Sequence, residues 1–450
     1  MSALSSSLVL AEKSVPRYTS YPTAPHFSPA VGPEKTGEWL AALPVTTRLS
    51  LYLHVPYCRE LCSYCGCNTK ATRQAGPLDA YAETLFREID LVARATPART
   101  VIHAHWGGGT PSMLGGPRLL RLFDALHSRF AFAPGAEISI ELDPRYVDAE
   151  LVDALAVGGI TRVSLGVQDF NPHVQKLIGR VQPFETVAKA VGLLRDRGLA
   201  AINLDLMYGL PDQSEEDVIR TAELAASLEP SRLAIFGYAH APWFAKRQKL
   251  IDTAKLPGAA ERIRQAAASR DTLVKQGFVA IGLDHFARPE DQLAIAAANG
   301  TLRRNFQGYT TDQAEALLPM GASSIGRLPQ GFIQNAPDVA TWRRAIEAGK
   351  FSTVKGVAFS RDDKARAAVI ERLMCDFSVD YGAIAAEKLG DLTAFDAAQT
   401  ELTQLVQAGV ATQEGRRVNI TEAGRPFMRL VAATFDAYLA ARAAKHSVAV

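Results

Sequence analysis

"LSLYLHVPYCRELCSYCGCN" runs from Leu49 to Asn68. Its first seven residues form a short apolar run, and a proline closes it. A loop carrying Cys58, Cys62, Cys65 and Cys67 follows at once, while the fifth cysteine, Cys375, lies far away. The run reads as a strand. The cysteines therefore stand where a strand hands over to a loop. Crowded cysteines in a reducing compartment point to metal or redox chemistry, because disulfide frameworks do not persist there.

Outward from this stretch the same rhythm repeats. Short apolar runs occur at 100–106, 137–143, 162–168, 201–207, 232–238 and 278–284, and amphipathic helical patterns such as 78–95 and 214–228 lie between them. Such alternation predicts a parallel sheet with crossover helices. Polar or glycine residues mark the run ends: Gly107 follows one, Glu141 and Asp205 lie in others, and Gln168 ends another. Parallel α/β barrels collect reactive groups at the carboxyl ends of their strands. The expected fold is thus α/β, a partial (β/α) barrel of parallel strands. No GxGxxG of the dinucleotide type follows the first strand.

Three segments are expected. Residues 1–47 are irregular, broken by Pro16, Pro22, Pro25, Pro29 and Pro33, and are expected to lie over the barrel mouth. Residues 48–350 form the barrel and its extension. Residues 351–450 read as helices around a hairpin at "VATQEGRRVNIT", a winged-helix-like unit. DNA binding would need a basic recognition helix, and this tail has none, so a lid or packing role is expected.

The bulk numbers exclude several classes. With 49 basic and 47 acidic residues the net charge is +2, too weak a field to draw nucleic acid or an anionic membrane. No apolar run reaches the roughly 18 residues needed to cross a bilayer. "MSALSSSLVLAEKSVPRYTS" lacks a charged leader and a cleavage site, so it does not read as a secretion signal. A cytoplasmic monomer is expected, with no nucleic-acid partner and no membrane span.

The spacing C-x3-C-x2-C-x-C narrows the chemistry. Structural zinc sites use two knuckles well apart in sequence, and these residues are packed too tightly to wrap a tetrahedron. Bacterial ferredoxin runs send their fourth cysteine to a second cluster, for which no further cysteine set exists. Three thiolates from one tight loop can cap three irons of a 4Fe–4S cube and leave the fourth iron for another ligand. Cys58, Cys62 and Cys65 suit that task. Cys67 sits two residues beyond Cys65, and extended side chains alternate in direction, so it is expected nearby without ligating.

C-x3-C-x2-C after the first barrel strand, with Tyr64 before the third cysteine, resembles the radical S-adenosylmethionine superfamily. "PRYTSYPTAPHF", "HWGGGTPS", "EISIELDPR", "SLGVQDFNPHVQKLIGR", "NLDLMYGLPDQ", "FGYAHAPWF", "GLDHFARPED" and "RRNFQGYTT" together look like the oxygen-independent coproporphyrinogen III dehydrogenase family, over nearly the whole chain. Cys67 and "RYTSYPT" separate that family from related haem chaperones.

The resemblance implies a 4Fe–4S cluster on Cys58, Cys62 and Cys65 and two molecules of S-adenosylmethionine. Tyr52, Gly108, Glu141 and Ile325 would contact the first. Tyr64, Gly109, Thr110, Gln168, Arg180, Asp205 and Ala239 would contact the second. Tyr64, Cys67 and Gln307 are the implied catalytic residues. The implied substrate is coproporphyrinogen III, two propionates of which become vinyl groups by radical decarboxylation, with an unidentified electron donor and acceptor. Arg17, His240, His285, Arg288, Arg303 and Arg304 are candidate propionate partners, and Tyr18, Tyr21 and Tyr309 candidate hydrogen-bond donors. A haem-binding chaperone, a haem-modifying radical enzyme and an electron carrier are the alternatives.

Overall fold

The computed structural model describes residues 10–439; residues 1–9 and 440–450, the ends of the expected terminal segments, lie outside the described residues. Six strands lie side by side in parallel: β1 (Leu49–Val55), β2 (Thr100–Gly108), β3 (Ala131–Leu142), β4 (Arg162–Gln168), β5 (Ile202–Tyr208) and β6 (Arg232–Gly237). Helices at Ala75–Ala95, Gly116–Arg129, Ala149–Val157, Phe184–Arg195 and Glu215–Ser227 fall between them. The last begins on a capping box, in which Ser214 and Asp217 satisfy each other's backbone N–H groups. Strand β4 alternates between buried and half-buried positions along its whole length. One face packs on helices and the other lines the interior, which is what the period of two demands.

Two additions, antiparallel except for β9, extend the parallel sector. On one side, β7 (Val279–Ile281) and β8 (His285–Ala287) form a small hairpin, and β8 pairs with β6. On the other, β9 (Ala316–Met320) pairs parallel with β1, and β10 (Ile325–Leu328), β11 (Gly331–Asn335) and β12 (Thr353–Ala358) continue antiparallel. The sheet order is β12-β11-β10-β9-β1-β2-β3-β4-β5-β6-β8-β7. β1, with its cysteine loop, sits near the middle.

The run at 278–284, expected in the parallel rhythm, is instead this antiparallel edge. Gly282 turns the chain back at φ +58, and a Cβ there would fall 2.0 Å from the Tyr309 ring. Only glycine fits both constraints.

The C-terminal part contains helices Arg361–Asp376, Tyr381–Leu389, Gln399–Gln407 and Met428–Ala433, and the hairpin Ala411–Glu414 with Arg417–Ile420. A third strand, Ser378–Asp380, interrupts what the sequence suggests is continuous helix. Phe377 ends the preceding helix in the left-handed region, φ 58. This part has its own core, built on residues such as Leu373, Met374, Leu402 and Phe435. Val15, Tyr18 and Tyr21 of the N-terminal stretch join that core. Further along, Ser28 exchanges two backbone hydrogen bonds with Gly356 of β12, at 2.8 and 2.9 Å.

Candidate active site

The cysteine loop leaves the carboxyl end of β1. Thr69 and Thr110 donate to Cys58 Sγ at 3.2 and 3.5 Å, and Arg180 Nη1 donates to Cys62 Sγ at 3.6 Å. The Cys67 backbone N–H donates to Cys65 Sγ at 3.4 Å. Hydrogen bonding from Cys67 pulls the Cys65 thiol down to about 6 and pushes Cys67 up. Burial pushes Cys58 up. No three cysteine, histidine or carboxylate side chains close around a single point among the described residues. A cube spreads its thiolates over separate irons, wider than the shell around one ion.

Beside the loop, β2 and β3 present a carboxylate. Glu141 accepts from the Gly108 N–H at 3.1 Å and pairs with His105 Nε2 at 2.9 Å. Ser139 holds the other His105 nitrogen at 2.7 Å. Tyr52 lies parallel to the His105 ring, and its hydroxyl meets His54 Nδ1 at 3.0 Å. The three glycines at the end of β2 make this close approach possible. A Cβ on Gly107 would stand 2.9 Å from Glu141, and one on Gly109 2.6 Å from Tyr57 O. Gly108 adopts φ +111, with the His54 ring 2.5 Å from a would-be Cβ.

The next strands carry the remaining polar groups. Asp205 accepts from Ser164 and Asn203 at 2.6 and 2.8 Å. Burial pushes its carboxyl up, and the Glu141 charge adds to the rise. Gln168 closes β4 in the left-handed region, φ 70, an uncommon backbone for a side chain of this size. Arg180 is committed within the protein: to Gln182 at 3.1 Å, to Asp143 at 3.3 Å and to Gly166 O at 2.6 Å. It ties the cysteine loop to β4. Tyr64 packs with Val174, Ile178, Leu210, Tyr238 and Ile251. Gln248 donates to both Tyr64 O and Ala239 O, at 2.6 and 3.1 Å.

Ile325 lines a cavity of ≈ 110 Å³ with Tyr18, Tyr21, Arg303, Arg304 and Phe306. Gln307 sits at the turn of the hairpin Arg303–Asn305/Gly308–Thr310, its N–H on Asn305 Oδ1 at 2.9 Å. Of the proposed cations, Arg303 is paired with Glu371 at 2.9 Å. Arg288 is excluded from the mouth: its N–H binds Ser231 O, before β6 begins, and its guanidinium stacks on Phe278. His285 holds Asp284 at 2.8 Å, and His240 meets the Tyr238 hydroxyl at 3.0 Å.

Arg17 donates to Gly237 O at the carboxyl end of β6, at 2.8 Å. Arg304 lies over the Tyr309 ring and donates to Arg17 O at 3.4 Å; its Nε and Nη1 are buried without a hydrogen-bond partner among the described residues. Sequence reasoning missed two further guanidiniums in this chamber. Arg262 donates to Tyr238 O at 2.9 Å. Arg429, from the C-terminal part, is buried; desolvation and the Arg17 charge bring it down to about 10. Asp284 is the carboxylate whose charge reaches Arg17 and Arg429. No motif marks either missed residue: Arg262 sits in a long helix with polar positions throughout, and Arg429 is a lone cation in the buried run Met428–Ala433.

Glu141 and Asp205 meet no lysine or arginine at ion-pair distance among the described residues. Two carboxylates short of a counter-cation, Asp205 inside the barrel and Glu141 with its side chain 38% exposed, fit a ligand bearing an ammonium and a sulfonium, and the thiol set fits a cluster with an open iron.

Comparison with known proteins agrees with this geometry. Residues 52–225 match the family model described as the radical SAM superfamily, and residues 359–427 match the HemN C-terminal domain. The chain is 46% identical to an oxygen-independent coproporphyrinogen III oxidase of Bradyrhizobium diazoefficiens, with 98% of both chains covered. It is 39% identical to that of Escherichia coli, with 95% of this chain and 94% of the relative covered. A solved structure of coproporphyrinogen III oxidase from Escherichia coli, a radical SAM enzyme, superposes with a TM-score of 0.89 at 37% identity, covering 95% of this chain and all of the other. The chain is therefore built as a radical SAM oxidoreductase, whose superfamily uses a 4Fe–4S cluster and S-adenosylmethionine. Within that class it belongs to the oxygen-independent coproporphyrinogen III oxidase family. No helix among the described residues is long and apolar enough to cross a membrane.

Proposed function

We propose that the protein converts two propionate side chains of coproporphyrinogen III to vinyl groups without oxygen, giving protoporphyrinogen IX in haem synthesis. Each conversion would give up CO2, a hydrogen atom taken up by a 5′-deoxyadenosyl radical, and one electron taken up by an acceptor. The observation that carries this reading is the arginine chamber, opening at the same end of the barrel as the cysteine loop. Arg17, Arg262, Arg304 and Arg429 gather at the carboxyl ends of β5 and β6, with Asp284 near Arg17, Arg304 and Arg429, an arrangement that suits a polyanionic guest.

When bound, the cluster and S-adenosylmethionine supply a 5′-deoxyadenosyl radical able to take a hydrogen atom from an unactivated carbon. Cys58, Cys62 and Cys65 would hold the cluster. Tyr52, Gly108 and Glu141 would bind one S-adenosylmethionine, with Ile325 against its adenine. Gly109, Thr110, Gln168, Asp205 and Ala239 would bind a second. Arg180, its donors already engaged, would act in that second site by fixing Gly166 and Cys62. His105 and the Gly108 N–H hold Glu141 in position before the ligand arrives, so less order is lost on binding. Tyr64, Cys67 and Gln307 are the proposed groups beside the reacting atoms. The stretch 10–47 would cover the mouth and exclude water from the radical. An unidentified donor supplies electrons and an unidentified acceptor removes them. The free thiols suit the cytoplasm, and the protein is proposed to work as a monomer.

The test is an anaerobic incubation of the reconstituted enzyme with coproporphyrinogen III, S-adenosylmethionine and dithionite. Protoporphyrinogen and CO2 should form together. Haem binding without turnover would refute the reading in favour of a chaperone.

A further inference from the structure

Three segments are stitched together outside the cysteine loop. Ser63 N–H binds Ile178 O at 3.0 Å, and a Cβ on Gly179 would meet Ser63 Oγ at 3.3 Å. On the other flank Gln248 grips Tyr64 O, and Arg247 Nη2 donates to Thr69 O at 3.0 Å. Segments 58–73, 176–181 and 243–250 thus form one collar around the cysteines.

The collar's composition is unusual for this chain. It carries Leu61, Val181, Trp243, Phe244 and Leu250 as exposed large apolar side chains, with Phe244 78% and Leu250 76% exposed. A gathering of apolar side chains at one place marks an interaction surface more often than scattered ones do. The same three segments hold eight arginine and lysine residues against one acidic residue, Glu60, in a protein whose net charge is only +2. Glu60 is itself paired with Arg73 and Arg145. Lys176, Lys246 and Lys249 are exposed and make no ion pair among the described residues.

We propose that this collar docks an acidic protein carrying a one-electron redox centre, which reduces the cluster through the loop. The inference rests on the functional reading above, since that chemistry needs an electron from outside. Exposed apolar side chains interleaved with unpaired lysines suit a transient complex, in which the charges speed encounter and orient the partner. The occupant is argued from charge complementarity together with position: the collar lies directly over Cys62 and Cys65, so a partner seated there brings its redox centre near the cluster loop.

The test compares the holoenzyme with two variants, Phe244→Ser and Lys246→Glu/Lys249→Glu. All three positions are exposed and outside the binding and catalytic groups named above. The protein probe is reduced flavodoxin, an acidic one-electron flavoprotein, and dithionite is the small-molecule control. Turnover driven by flavodoxin should fall about tenfold or more in either variant, and dithionite-driven turnover should stay as in the parent. Calorimetric titration with oxidised flavodoxin should give weak binding to the parent that fades at high salt and is lost in the charge-reversed variant. Equal flavodoxin-driven rates in parent and variants would overturn the proposal, as would loss of turnover with both reductants. So would self-association of the parent through the collar, abolished by the same substitutions. A parent inactive with dithionite, yet still binding flavodoxin at the collar, would refute the functional reading and leave the docking surface standing.

Discussion

Cys67 and Cys62 lie five positions apart and face different fates. Cys62 is buried against Arg180, whereas Cys67 is exposed and gives its backbone N–H to Cys65. Reconstituted protein should hold about four irons per chain, as one cubane requires. Cys62→Ala should abolish that iron, and Cys67→Ser should retain most of it, as read by iron analysis and by the electron paramagnetic resonance of the reduced centre. Loss of iron in Cys67→Ser would show that the ligand trio is misassigned. The cysteine spacing already set Cys67 apart from the other three, and the structure exposes it while burying Cys62. Glu141 and Asp205 were legible too, because a carboxylate within an apolar strand needs a partner. Arg262 and Arg429 were not: a lone arginine on a helix is usually a solvated stem, and only tertiary packing turns these two inward.

Among the elements, the helix Ala75–Ala95 carries a second kind of buried carboxylate. Glu88 accepts from Gly321 N–H at 2.6 Å, Asn335 Nδ2 at 2.8 Å and Trp342 Nε1 at 3.0 Å, joining the helix to the turn between β9 and β10. Burial raises its carboxyl to about 7 against those three donors. In the unfolded chain it loses its proton near its ordinary value of 4.5. Between these two values the folded state binds the proton more tightly, so Glu88's contribution to stability declines as pH rises from about 4.5 to about 7 and levels off above. The full change is on the order of 3 kcal/mol. Denaturant unfolding at pH 5 and pH 8 should show this decline in the parent, and Glu88→Gln should remove it. A parent with the same slope as the variant would dismiss Glu88 as the cause.

The elements also differed in how openly the chain declared them. β1, β4 and β6 stand out because apolar, β-branched runs in a parallel sheet are buried on one or both faces. β9–β12 were hidden, being short and placed beyond the parallel sector, where glycines and polar residues interrupt them. Ser378–Asp380 was hidden differently: helical periodicity runs straight across it, and the left-handed break falls on a phenylalanine instead of a glycine.

At the scale of the whole molecule, the arginine chamber belongs to no single segment. Arg17 comes from the N-terminal stretch, Arg262 from the helix Ala259–Lys275, Arg304 from the hairpin after β8 and Arg429 from the C-terminal part. A charge-assisted hydrogen bond is worth about 1.5–3 kcal/mol. Arg429→Leu should therefore raise the KM for the porphyrinogen roughly ten- to a hundredfold. Iron content and the slow cleavage of S-adenosylmethionine without substrate should not change. An unaltered KM would remove Arg429 from the chamber's role. The overall α/β reading needed only local patterns, whereas this chamber depends on contacts between residues over 400 positions apart, which no local pattern encodes.

Tyr18 and Tyr21 are fastened by their hydroxyls to the last described turn of the chain, to Asp436 and Ala437. Arg17 is the immediate neighbour of Tyr18, so the N-terminal stretch and the last described turn share one fastening. A guest that grips Arg17 should steady that fastening, and limited proteolysis within residues 434–439 should slow when the guest is bound.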